Sequence, residues 1–93
     1  MNIALDYDET WTRDPDLWHA FVTAAKAKGH TVYGVTMRYP REGTDMDARY
    51  KSGCNGGIFF TSRQAKLYYM EKQDVIIHVW IDDSPNFILM GAR

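Results

Sequence analysis

The chain opens MNIALDYDETWTRD, residues 1–14, in which an apolar run from Ile3 to Leu5 is broken by Asp6, Asp8 and Glu9. A short apolar run bounded by polar residues reads as a strand buried on both faces, and such strands belong to parallel sheets covered by helices. Side chains alternate along a strand, so Asp6 and Asp8 turn to one side and Tyr7 to the other. Two carboxylates at the end of a buried strand need a chemical reason, because an isolated buried charge is costly.

Downstream of this stretch the spacing becomes helical from Asp14 to Lys28, with Leu17, Phe21, Ala24 and Ala25 as an apolar stripe and Trp18 and Val22 beside it. Asp14 suits the N-cap, Pro15 the first turn and Gly29 the stop. A second strand is predicted over Thr31 to Met37, rich in β-branched residues apart from Gly34. Arg38 to Gly57 reads mostly as loop, with a helical turn in DMDARY, residues 45–50. A third strand follows over Gly57 to Thr61, then a helix in SRQAKLYYMEK, residues 62–72, with Ser62 as its cap. VIIHVWI, Val75 to Ile81, is the fourth strand, and FILM, residues 87–90, the only material for a fifth.

Strands alternating with helices or long connections imply βαβ units. The expected fold is α/β: a small Rossmann-like three-layer αβα domain with a mainly parallel sheet of four to five strands, one domain over residues 1–93.

The composition is 45% apolar and 25% charged with a formal net charge of −1, which gives no broad attraction to nucleic acid or anionic membrane. No apolar run approaches the roughly 18 residues of a membrane span, and the N-terminus lacks a basic region followed by a signal-type apolar core. A cytoplasmic protein is expected. Cys54 is the single cysteine, which excludes an intrachain disulfide and a cysteine-based zinc cluster.

Ligands of open parallel sheets gather at the carboxyl ends of the strands, near the point where strand order reverses. There strand one ends in Asp6 and Asp8, strand two in Thr36, and strand four in Asp82 and Asp83, while strand three leads to Lys66. Clustered carboxylates repel unless a cation compensates them, and a hard ion with oxygen ligands, Mg²⁺, fits best. Such a site is usually completed by substrate phosphate, with a carboxylate available as covalent nucleophile.

With these residues in place, DYDET, residues 6–10, resembles the D-x-D-x-T signature of the haloacid dehalogenase superfamily. The resemblance implies Asp6 as nucleophile and metal ligand and Asp8 as general acid, then base. It implies that Thr10 braces the turn, that Thr36 hydrogen-bonds the phosphoryl group and that Lys66 neutralises the phosphoaspartate. Asp82 and Asp83 in VWIDDSP match the acidic pair of its magnesium-dependent phosphatases, so the implied metal set is Asp6, Asp8, Asp82 and Asp83. The order of motifs spans nearly the whole chain and favours Thr36 over Thr61 or Ser62 as the second-motif residue.

No segment is long enough for a cap domain. The stretch after Thr36 offers a small flap with Arg38, Tyr39 and Arg41 available to touch substrate, although Arg38 and Arg63 read first as surface charges. Trp11 is the one tryptophan close enough to the edge to stack on substrate. The leading expectation is a capless Mg²⁺-dependent phosphohydrolase acting on a phosphomonoester, either a small molecule such as a nucleotide or a macromolecular end such as that of a nucleic acid. An open site of this kind also admits closure by another subunit, hence a homo-oligomer. The alternatives are a non-catalytic module that binds phosphate and Mg²⁺, and a receiver-like domain, against which the leading position of D-x-D argues.

Overall fold

Asn2–Leu5 forms the first strand, β1, and lies at the centre of the sheet with Ile3, Ala4 and Leu5 all buried. The computed structural model describes residues Met1–Arg93. After a 3-10 turn at Trp11–Arg13 come α1 (Pro15–Ala27), β2 (Thr31–Thr36), a second 3-10 turn at Pro40–Gly43, and α2 (Ala48–Gly53). The chain continues through β3 (Gly57–Phe60), α3 (Lys66–Lys72), β4 (Val79–Ile81) and α4 (Asn86–Leu89). The four strands are all parallel in the order β3-β2-β1-β4. Strand order therefore reverses beside β1, between it and β4.

Two apolar layers cover the sheet. Ile3, Leu5 and Val32 face a larger cluster with Trp11, Val22 and Tyr50, while Ala4 and Val35 face Met70 of α3. Helices on both faces explain why β1 is continuously apolar, as a parallel αβα sheet requires. Gly34 sits in β2 because a Cβ there would lie 2.5 Å from Ile58 Cδ1 and 2.8 Å from the Tyr50 hydroxyl. The space it leaves lets Tyr50 donate to the Leu5 carbonyl at 2.7 Å.

Asp14 caps α1 as expected, accepting from the Leu17 N–H at 3.2 Å, and Gly29 takes the left-handed φ of +87° just past the helix end. The buried face of that helix is Val22 and Ala25, with Trp18 and Phe21 packed beside them. Leu17 and Ala24, expected in the stripe, are exposed. Trp11 is not available for stacking: it is 1% exposed, lies edge-on to Tyr50, and its indole N–H donates to Asp47.

Several boundaries differ from the sequence reading: the helical turn placed at residues 45–50 is a helix over Ala48–Gly53, and β2 and β3 each end one residue early. Only Val79–Ile81 of the fourth segment joins the ladder, because His78 and Ile76 are tied to Asn2 partly through side chains. FILM does not supply a fifth strand; Phe87–Leu89 turns into α4, which packs against α3. Ser62 is not the cap of α3, which starts at Lys66 behind Ala65; Ser62 and Arg63 instead take left-handed φ values of 53° and 70°.

Candidate active site

The reversal of strand order beside β1 brings the ends of β1 and β4 together, and the Asp6 N–H donates to the Ile81 carbonyl at 3.0 Å. Asp6 follows β1, Asp82 and Asp83 follow β4, and Lys66 opens α3 after β3 has ended. These four residues meet. Lys66 Nζ donates to Asp6 Oδ1 at 2.8 Å and to Asp82 Oδ2 at 2.5 Å. The lysine is 3% exposed, a degree of burial that lysine tolerates only when paired.

Beneath them, Thr10 reaches back from the turn. Glu9, with a left-handed φ of +64°, folds the chain under the sheet edge, and the buried Thr10 hydroxyl lies 3.0 Å from both Asp6 Oδ2 and Asp83 Oδ1. The same hydroxyl accepts from the Asp83 N–H at 3.1 Å. One hydroxyl proton thus serves two carboxylates. Left-handed backbone at a non-glycine residue costs about 1–2 kcal/mol, and it is held here by the Glu9 N–H donating to Thr12 Oγ1.

Burial pushes the Asp6 carboxyl up to about 7, against the opposing attraction of Lys66. Burial also acts on Asp83, but the hydrogen bonds it shares with Asp6, Thr10 and Ser84 outweigh that and hold it below the ordinary carboxylate range. One carboxyl beside Lys66 is therefore reluctant to ionise while its neighbour ionises readily.

Ligand oxygens of Asp6, Asp82 and Asp83 lie within 4.8 Å of one another, close enough to hold one cation. The donors are all oxygen, three carboxylates face a single ammonium, and they share one threonine proton. That donor set suits a hard divalent ion. Asp8 stands apart from it. Its two oxygens accept from Arg38 Nη2 at 2.8 Å and Nε at 3.0 Å in a bidentate pair, although it lines the same cleft of about 310 Å³ as Asp6, Lys66, Asp82 and Asp83.

Neither threonine of the second-motif choice lines that cleft. Thr36 is 1% exposed and accepts from the Arg38 N–H at 3.3 Å; Thr61 is fully buried and donates to the Gln64 carbonyl at 2.9 Å. Met37 is the residue of that strand end that faces the opening.

Arg38 is the site residue that sequence reasoning undervalued. Besides Asp8 it donates to the Glu42 carbonyl at 2.7 Å, pairs with Asp45 at 3.2 Å, and lies over the Tyr7 ring at 5.1 Å. Local spacing carried no signal for this pairing, which depends on the register that sets Leu5 level with Gly34 and so brings the ends of β1 and β2 together. No helix is long and apolar enough to cross a membrane.

Comparison with protein-family models, with curated proteins and with solved structures gave no match.

Proposed function

We propose that this chain is a Mg²⁺-dependent phosphohydrolase that cleaves a phosphomonoester through an aspartyl-phosphate on Asp6. One observation carries the reading: Asp6, buried at the floor of an open cleft, is hydrogen-bonded to a buried ammonium and converges with two further carboxylates. The resemblance of residues 6–10 to the D-x-D-x-T signature supports the same assignment.

Asp6, Asp82 and Asp83 would hold the ion. Bound there, it would balance the carboxylates and polarise the phosphoryl oxygens. In the first step an Asp6 oxygen bonds to phosphorus, the bond from phosphorus to the leaving oxygen breaks, and Asp8 in its protonated form gives that oxygen a proton. In the second, Asp8 takes a proton from water as the water oxygen attacks phosphorus. The bond to Asp6 then breaks, which frees inorganic phosphate and restores both carboxyl groups. Lys66 offsets the charge carried by the acyl phosphate.

Arg38 has to loosen from Asp8 for this cycle to run. A guanidinium fork binds phosphoryl oxygens as well as a carboxylate, so an entering phosphate supplies the exchange partner. The bidentate lock on Asp8 also favours a second reading, a module that binds Mg²⁺ and phosphate without turnover.

The test is phosphate release from p-nitrophenyl phosphate with Mg²⁺ or EDTA, in wild type and Asp6→Asn. The proposal expects metal-dependent turnover that the substitution abolishes. Folded protein that binds Mg²⁺ without turnover supports the second reading.

A further inference from the structure

A second cleft, of about 600 Å³, adjoins the first and has no hydrophobic residue in its wall. Asp8 and Arg63 line both clefts, so the two are continuous. Its cations are Arg38, Arg41 and Arg63, and they differ in what already satisfies them. Arg38 is neutralised by Asp8 and Asp45. Arg63 stands 3.6 Å from Glu42, a long pair, while that carboxylate also closes the turn by accepting from the Tyr39 N–H at 2.8 Å. Arg41 has no carboxylate within 4 Å.

Both less satisfied arginines are held by one aromatic ring. The guanidinium of Arg41 lies 4.6 Å from the Tyr39 ring centre and that of Arg63 lies 5.4 Å from it. A cation over an aromatic face is held near one position; the Arg41 guanidinium makes no other bond and keeps its N–H groups for an oxyanion, while Arg63 gives one nitrogen to the Met37 carbonyl. Arg63 is further fixed from its backbone. It sits at the second of two consecutive left-handed residues, its N–H donates to the Met37 carbonyl at 3.0 Å, its carbonyl accepts from the Ala92 N–H at 2.8 Å, and its side chain donates to Met37 again. Strain of this kind persists only where surrounding structure enforces it, and here it sets one cation at the junction of the two clefts.

We infer that Arg41 and Arg63, ordered on Tyr39, form a second anion site that recognises a non-scissile phosphate next to the one held at Asp6. This rests on the phosphohydrolase reading for the identity of the first site. The ligand class is a substrate with two phosphate groups, and the chemistry fits either a small bisphosphate or a nucleic-acid end, in which the second group is a phosphodiester.

The experiment compares adenosine 5′-monophosphate, adenosine 3′,5′-bisphosphate and a short 5′-phosphorylated oligothymidylate as substrates with Mg²⁺, in wild type, Arg41→Ala and Arg63→Gln. One charge-assisted phosphate contact corresponds to roughly tenfold in affinity. The expected result is a KM roughly tenfold lower for one or both two-phosphate substrates than for the monophosphate, with the gap lost in each variant. Preference for the bisphosphate alone marks a small-molecule substrate, and preference for the oligonucleotide alone marks a strand end. Equal KM values in wild type, or a gap that survives Arg41→Ala, overturn the second site and leave the phosphohydrolase reading intact. If no substrate turns over, calorimetric titration with the bisphosphate and the monophosphate decides separately. An Arg41-dependent preference keeps the second site without the enzyme, and equal or absent binding removes it.

Discussion

Lys66 Nζ bridges Asp6 and Asp82, 2.8 Å from one carboxylate and 2.5 Å from the other, with all three side chains nearly inaccessible. This bridge is what allows two carboxylates to share the buried edge of a parallel sheet. Breaking a buried pair by removing one partner is far more damaging than the pair is stabilising, because a charge is left without compensation. Lys66→Met is therefore expected to lower unfolding free energy at pH 7 by about 3 kcal/mol, as read by urea denaturation. Part of that loss should return as pH falls from about 8 to about 6, because Asp6, at about 7 beside the lysine, takes up its proton at higher pH without it. A loss unchanged by pH would show that packing of the lysine stem, and not its charge, is what matters.

The pH dependence of the metal-free protein follows from Asp6. Unfolded, its carboxyl titrates near 3.8; folded, burial moves it to about 7. Between those values the folded state holds a proton that the unfolded state has lost, so stability is greatest at the acid end and declines as pH rises toward 7. Asp83 and Asp47, both held below the ordinary range, act with the opposite sign, but their effect falls below pH 4, outside this window. Denaturation in EDTA from pH 4.5 to 8 should show that decline, and Mg²⁺ should flatten it by stabilising the ionised form. Stability that rises through this window in EDTA would contradict the burial of Asp6.

Gly34 makes room for the Tyr50 hydroxyl behind the central strand. Gly34→Ala sets a methyl against Ile58 and Tyr50 and is expected to cost about 1–3 kcal/mol. Tyr50→Phe removes the bond to the Leu5 carbonyl and should cost about 1 kcal/mol or somewhat more. Combining the two changes should cost less than their sum, because the hydroxyl is one of the atoms that clashes; strict additivity in thermal or urea unfolding would place the strain elsewhere.

On the phosphohydrolase reading, a change at Asp8 separates the two chemical steps. With p-nitrophenyl phosphate the leaving group needs little help from an acid, whereas water still needs a base, so Asp8→Asn should slow turnover about 100-fold or more while the acyl phosphate accumulates. A rapid-mixing experiment should show a burst of nitrophenol approaching one equivalent. Slow turnover with no burst would put Asp8 in the first step instead.

Much of this arrangement was legible in the sequence. The apolar run ending in Asp6, the acidic pair at the end of the last strand and the lysine at a helix start depend on local spacing, and parallel topology brings strand ends to one edge. What local spacing does not carry is how each side chain is satisfied. The burial of Thr36 and Thr61 away from the cleft depends on the loops beyond them, and the Arg38 lock on Asp8 depends on the register between β1 and β2. FILM failed as a strand because four apolar residues fit either period; packing against α3 selects the helix. Ser62 failed as a cap because the chain there makes a left-handed turn before α3 begins.

The central claim is that Asp6 becomes covalently phosphorylated, and it has a direct measurement. Protein quenched in acid during turnover of a phosphomonoester with Mg²⁺ is reduced with borohydride, which converts an aspartyl phosphate to homoserine, and the N-terminal peptide is then sequenced by mass spectrometry. The account predicts homoserine at position 6 that vanishes when EDTA replaces Mg²⁺. Steady phosphate release with an unmodified Asp6, or turnover that persists in Asp6→Asn, would contradict it.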